Sequence, residues 1–210
     1  MLAVAGAMVA AVAGGCYLPH LFVALTKPEE KKTIKAEHHL AAERLVIVVY
    51  AGTDVLFTYP TAPLEINRDL VNEILAHLAP KVKQIVHPVE VVRWQESNLE
   101  WTTMSPVDIA KTFKVDTMLY VELEQYSTVE ERSANLFRGH VRANVQVVKP
   151  AADSNPVYRT SVEVLFPEDR PIGVVENENL IRAGTSIVFA RTVIGKFYDR
   201  EVVVKGGVAK

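Results

Sequence analysis

Between Arg44 and Tyr50 the chain reads RLVIVVY, a run of apolar and mostly β-branched residues with no polar position to turn toward water. A strand of that composition is covered on both faces. It marks the start of a packed core. Downstream, Ile66, Leu70, Ile74 and Leu78 recur at spacing four with Val71 and Leu75 beside them, which predicts a helix over residues 64–78. Thr61 is placed to cap its start and Pro80 to stop it.

Residues 83–86 read as a short second strand ended by His87 and Pro88. Residues 89–98 then read as a short helix with Val92 and Trp94 as packing candidates. Ser105-Pro106-Val107-Asp108 is a stronger start signal: a cap residue, proline at the first helical position and an acid three residues on, followed by Ile109, Ala110 and Phe113. Residues 117–124 alternate Leu119, Val121 and Leu123 against Tyr120, Glu122 and Glu124. Residues 139–148 set Val141, Ala143, Val145 and Val147 against His140, Arg142, Asn144 and Gln146. With a further strand at 157–166, these form an antiparallel meander with one wet face. A turn-rich link at 149–156 and an irregular loop at 167–179 complete the connections. The last helix is expected over 180–198, with Leu180, Gly184, Ile187, Ile194 and Tyr198 near its apolar stripe and Val188 and Phe197 flanking it. The expected fold class is α/β (α+β): a single mixed sheet with an antiparallel meander and helices packed on it. It occupies one domain at 44–202, followed by a flexible tail at 203–210.

The amino-terminal segment has a different character. No Asp, Glu, Lys or Arg occurs from Leu2 to Leu25, and residues 2–12 have the length of a signal-peptide apolar region. Ala13, Gly14, Gly15 and Cys16 follow. Those four residues resemble a bacterial lipobox, which implies cleavage before Cys16 and acylation of its thiol. On that reading residues 1–15 are a lipoprotein signal peptide and 16–43 the lipidated cysteine and its tether, with the domain facing the periplasm. Two features depart from the pattern: no Lys or Arg precedes the apolar run, and the stretch from Tyr17 to Leu25 is unusually apolar for a tether. An uncleaved anchor helix is the alternative, since roughly 20 apolar residues span a bilayer. Lys27, Lys31, Lys32 and Lys35 would then hold the domain in the cytoplasm. A simple secreted leader is a third reading.

With 23 Lys and Arg against 25 Asp and Glu, the chain has no basic field to recruit nucleic acid. Cys16 is the only cysteine, which excludes a disulfide framework or a cysteine-based zinc cluster within one chain. Neither phosphate-loop pattern occurs, nor H-E-x-x-H, nor G-x-S-x-G, so no catalytic, metal or cofactor residue is assigned and no cofactor is expected. Glu122 and Glu124 share a strand face, the arrangement a hydrolytic pair requires, but cross-strand pairing with Arg142 or Arg159 is the expectation. Adjacent His38 and His39 are read as a solvated pair. His77, His87 and His140, with Asp54 or Asp116, could join only in a site assembled by folding. Asp116 reads as shaping the turn before its strand. Trp94, Trp101 and Tyr126 read as either a docking patch or core and lid residues.

The stretch DIAKTFKVDTMLYVELEQY at 108–126, with Val115-Asp116 between helix and strand, resembles a junction in envelope proteins such as the TolB amino-terminal domain and the curli-secretion and penicillin-binding-protein-activator lipoproteins. From about Val46 to Val202 the chain is also similar to uncharacterised bacterial lipoproteins with a carboxy-terminal helix ending in a Phe-Tyr pair, here Phe197 and Tyr198. The resemblance implies a non-catalytic binding, scaffold or assembly domain held at a membrane by its lipid. Other envelope proteins would be its partners, and no small-molecule ligand is identified. The competing class is an enzyme with a site built from dispersed residues.

Overall fold

A computed structural model describes residues 31–133, 136–153, 155–169 and 178–203. Ala13, Gly14, Gly15 and Cys16 lie outside the described residues, as do most of the 167–179 loop and the tail from 204. The described chain contains one compact unit, Ile34–Arg200, and parts of a second at residues 31–33 and 201–203.

The elements in chain order are β1 (Lys31–Ile34), β2 (Ala42–Ala51), α1 (Thr53–Thr58), α2 (Ala62–His77), β3 (Val82–Ile85), α3 (Pro88–Ser97), a 3-10 turn (Leu99–Thr103) and α4 (Pro106–Thr112). There follow β4 (Thr117–Val129), β5 (Phe137–Val148), β6 (Tyr158–Phe166), α5 (Glu178–Ile194) and β7 (Arg200–Val203). β1 and β7 pair as a separate two-stranded sheet. The main sheet has the order β3-β2-β4-β5-β6. β2 is parallel to both β3 and β4, and β4, β5 and β6 form the expected antiparallel meander. The protein is thus an α/β fold on a single mixed five-stranded sheet.

β2 shows why its sequence carries no polar alternation. Leu45, Ile47 and Val49 enter one core with Ile66, Leu70 and Ile74 of α2 and Phe189 and Val193 of α5. Val46 and Val48 enter a second core with Val91, Ile109 and Met118. The second layer ends at Met118 of β4 and its cross-strand neighbour Val148 of β5. Beyond it the sheet face is wet: Glu124 accepts from Arg142 Nε at 3.1 Å and Asn144 Nδ2 at 2.7 Å, the cross-strand pairing expected of that face. Ser105 caps α4 as read from sequence, accepting from the Asp108 N–H at 3.2 Å.

Three expectations give way. Thr61 sits in helical conformation and does not cap α2; its hydroxyl donates instead to Glu65 Oε1 at 2.8 Å. The stretch 34–43, read as tether, carries Leu40 fully buried. It is tied down where Glu37 N–H donates to Lys196 O at 2.8 Å and Tyr158 Oη donates to Glu37 Oε2 at 2.5 Å. The last helix ends at Ile194, not Tyr198, and buries Ile181, Thr185, Ser186, Phe189, Ala190 and Val193 together with Ile194, the one member of the predicted stripe that enters the core from the helix; the flanking Phe197 is buried just beyond it. Thr185 tolerates the core because its hydroxyl donates to Ile181 O at 2.6 Å. Leu180 is left 67% exposed and Ile187 37% exposed.

Candidate functional site

β3 is four residues long and β2 is ten. The last register pair between them is Leu45 with Ile85, and Val86 N–H donates to Leu45 O at 2.8 Å just beyond it. From there to Ala51 the outer edge of β2 has no strand beside it. A buried unpaired carbonyl is costly, so the fold must supply donors from elsewhere. Asn67 of α2 gives its Nδ2 to Ile47 O at 2.9 Å, and Gln95 of α3 gives its Nε2 to Val49 O at 3.3 Å. Two side-chain amides stand in for the missing strand.

The space left by β3 is a cleft of about 500 Å³, lined by Val49, Ala51, Leu56, Pro63, Val92 and Trp101 among others. It opens at the carboxyl end of β2, where α1 and α2 leave over one sheet face and α3 and α4 return over the other. Ligand crevices of open α/β sheets form at such divergences. Around it stands apolar surface: Phe57 is 90% exposed, Leu99 84% and Leu56 40%. Trp101 is fixed by an edge contact with Tyr50 at 5.8 Å and a tilted one with Trp94 at 6.3 Å. Trp94 in turn meets Phe113 at 4.9 Å. Glu96 lines the cleft, and Glu100 lines an adjoining hollow with Leu99 and Trp101. Val49 O, on the cleft lining, is already bonded to Gln95, and Thr61 at the rim donates its hydroxyl to Glu65, so most of this surface is suited to apolar groups.

Of the aromatic trio, Trp94 and Trp101 come together here. Tyr126 lies across the sheet against Tyr59 at 4.9 Å, its hydroxyl pushed far up by burial. The dispersed candidates stay apart. His77 stacks on Tyr198 at 4.6 Å, His87 Nδ1 accepts from Val89 N–H at 3.3 Å, and His140 Nε2 meets Glu163 Oε1 at 2.7 Å. Asp54 is in the first turn of α1. Asp116 does more than shape a turn: it accepts from Arg44 N–H at 2.6 Å and Glu43 N–H at 3.2 Å, aligning the starts of β2 and β4. Burial opposes its charge, but these amides prevail and hold its pKa below the usual value. His38 is not a solvated histidine. It stacks on Tyr158 at 5.2 Å, and burial, aided by Lys149, depresses its pKa. His39 is exposed.

A second polar cluster joins α2 to α5. Arg182 Nε donates to Glu65 Oε2 at 2.7 Å, and the same guanidinium holds the Glu65 pKa down. One turn along, burial raises Asp69, with Glu65 and Glu73 adding to it. Sequence inspection missed both this cluster and the role of Asn67. The available signal was a polar residue inside the apolar stripe of α2.

No family model matches the chain, and no curated protein matches it. Among solved structures, the fold is similar to a PelC dodecamer structure from Paraburkholderia phytofirmans at 9% identity, with 80% of this chain and 98% of that chain covered and a TM-score of 0.48. It is similar to the hypothetical protein CT253 from Chlamydia trachomatis at 12% identity, with 74% and 95% covered and a TM-score of 0.48. It is also similar to the lipoprotein GNA1162 from Neisseria meningitidis at 11% identity, with 70% and 98% covered and a TM-score of 0.43.

Proposed function

We propose that this protein is a non-catalytic binding domain of the bacterial envelope, held to a membrane through acylated Cys16, that takes an apolar segment of another envelope protein into the cleft beside β2. The observation that supports this reading is the pairing of an open apolar cleft with exposed Leu56, Phe57 and Leu99 at the sheet's divergence point, while the Gln95 amide in its lining is spent on Val49 O. Exposed apolar surface of this kind marks interaction sites and ligand grooves. Glu96 and Glu100, which form no ion pair among the described residues, add a preference for a partner with basic flanks.

The test is site-specific photocrosslinking in intact cells, with a photoreactive residue at Phe57 or Leu99 and a control at Lys111 on α4. The expected result is one discrete adduct with an envelope protein from Phe57 and Leu99, absent from Lys111 and lost when Leu56→Asp is added. Equal labelling at all three positions, or none at the cleft, would overturn the reading. The enzyme alternative rests on Glu65 and Asp69, whose environments push their pKa values apart, and an activity lost in Asp69→Asn but kept in Leu56→Asp would favour it.

A further inference from the structure

The sheet has a second unprotected feature, on the opposite side from the cleft. Among the described residues no strand pairs with the outer edge of β6, which runs nine residues from Tyr158 to Phe166. Edge strands are ordinarily guarded by charged side chains, lysine above all, or by proline, a bulge or a covering element; the charges on β6 are one of each sign, Arg159 and Glu163. β6 has no lysine and no proline, its register against β5 is unbroken, and its core-facing positions carry Thr160, Val162 and Val164.

The side-chain sequence along that edge is self-complementary. On the wet face the order is Arg159, Ser161, Glu163. If a second β6 runs antiparallel with Ser161 opposite itself, Arg159 of each copy falls opposite Glu163 of the other, and Thr160 falls opposite Val162 on the core face. Opposite charges in directly facing positions stabilise a strand pair. Glu163 is held by His140, and Arg159 makes no ion pair among the described residues.

The flanking helix fits the same operation. α5 packs across both β5 and β6, and Gly184 faces Phe166 at the end of β6. Leu180 and Ile187 share the Gly184 side of the helix and are exposed, and Val188 on the same side is half-buried against the core. A two-fold axis perpendicular to the sheet keeps both helices on one face. With strands about 4.8 Å apart, a helix lying over the gap between β5 and β6 sits about 5 Å from that axis. The two α5 helices would then be about 10 Å apart, within normal helix packing distance. Edge, charge order and helix flank all lead to one occupant.

We infer that β6 pairs antiparallel with β6 of a second copy of this chain, centred on Ser161, giving an isologous dimer with one continuous ten-stranded sheet and α5 packed on α5. This goes beyond the binding function assigned to the cleft and does not depend on it.

Cys16 is the only native cysteine, so single-cysteine crosslinking of the full-length chain in detergent, in a Cys16→Ser background, reads the register directly. Under mild oxidation Ser161→Cys should crosslink to itself, Arg159→Cys alone should not, and Arg159→Cys mixed with Glu163→Cys should. The control Lys111→Cys on α4 should stay monomeric. Adding Arg159→Glu to the Ser161→Cys chain should lower the crosslinked fraction about tenfold, and Arg159→Glu with Glu163→Arg should restore it. The inference is overturned if Ser161→Cys crosslinks no better than Lys111→Cys, if it crosslinks to a different protein, or if the double reversal fails to rescue.

Discussion

Replacing Asn67 by alanine tests whether a side-chain amide really substitutes for a strand. The Asn67 Nδ2 is the donor to Ile47 O, both groups are buried, and no strand lies on the β3 side of β2 at that point. Truncation leaves the carbonyl unsatisfied at a cost of about 1–3 kcal/mol and adds a small void. Removing Asn67 Oδ1, itself buried without a partner, offsets part of that. The net expectation is about 2 kcal/mol, or about 4–8 °C in Tm for a domain of this size. Gln95→Ala should cost less, about 0.5 kcal/mol, because its bond is longer and the open cleft lets water reach Val49 O. Asn67→Asp should cost more than alanine at neutral pH, since a carboxylate cannot donate, and should recover as acid protonates it. Urea unfolding followed by the fluorescence of Trp94 and Trp101 measures all three, with the slope m unchanged. An Asn67→Ala loss below about 0.5 kcal/mol, or one no larger than that of Gln95→Ala, would refute the substitution of amide for strand.

Burial depresses the His38 pKa, so between the ordinary histidine value of about 6.5 and its lower folded value the unfolded chain binds the extra proton. Stability should therefore fall as pH drops through that window. His38→Phe, which keeps the stack on Tyr158, should flatten the fall in pH-dependent urea melts, whereas His39→Phe should not. A Cβ on Gly139 would lie 1.6 Å from Thr185 Oγ1 and 2.7 Å from its Cβ, beneath a packed helix. Gly139→Ala should cost about 2–3 kcal/mol in the same assay. Gly184→Ala should cost less, since it meets the rim of the half-buried Phe166 ring, which can turn away.

Much of this architecture is legible because its signals are local. The 44–50 run announces a strand between two layers, the alternation in 139–148 announces a strand with one wet face, and Ser105-Pro106 fixes a helix start through its own hydrogen bond. α5 is misread because apolar residues lie on two of its sides, one facing the core at Phe189 and Val193, the other exposed at Leu180 and Ile187. Periodicity cannot rank two such stripes, and Thr185 and Ser186 disguise the true one. Residues 34–43 look like a tether because charge dominates them, while a single Leu40 and the Glu37 contacts hold the chain down. The cleft is invisible in the sequence for a different reason. It exists because β3 stops at Ile85, and its lining joins Val49 and Ala51 of β2 to Leu56, Pro63, Gln95 and Trp101 from separate elements.

A membrane-held binding domain is the centre of the account, and the intact mass and membrane partition of the wild-type chain against Cys16→Ser test it most directly. The wild type should lose residues 1–15, gain the mass of a thioether-linked diacylglycerol and stay with the membrane after a carbonate wash. Cys16→Ser should be neither cleaved before residue 16 nor acylated. Masses that differ only by the exchange of sulfur for oxygen, with identical retention, would contradict the lipid anchor and favour an uncleaved helix with the domain on the cytoplasmic side.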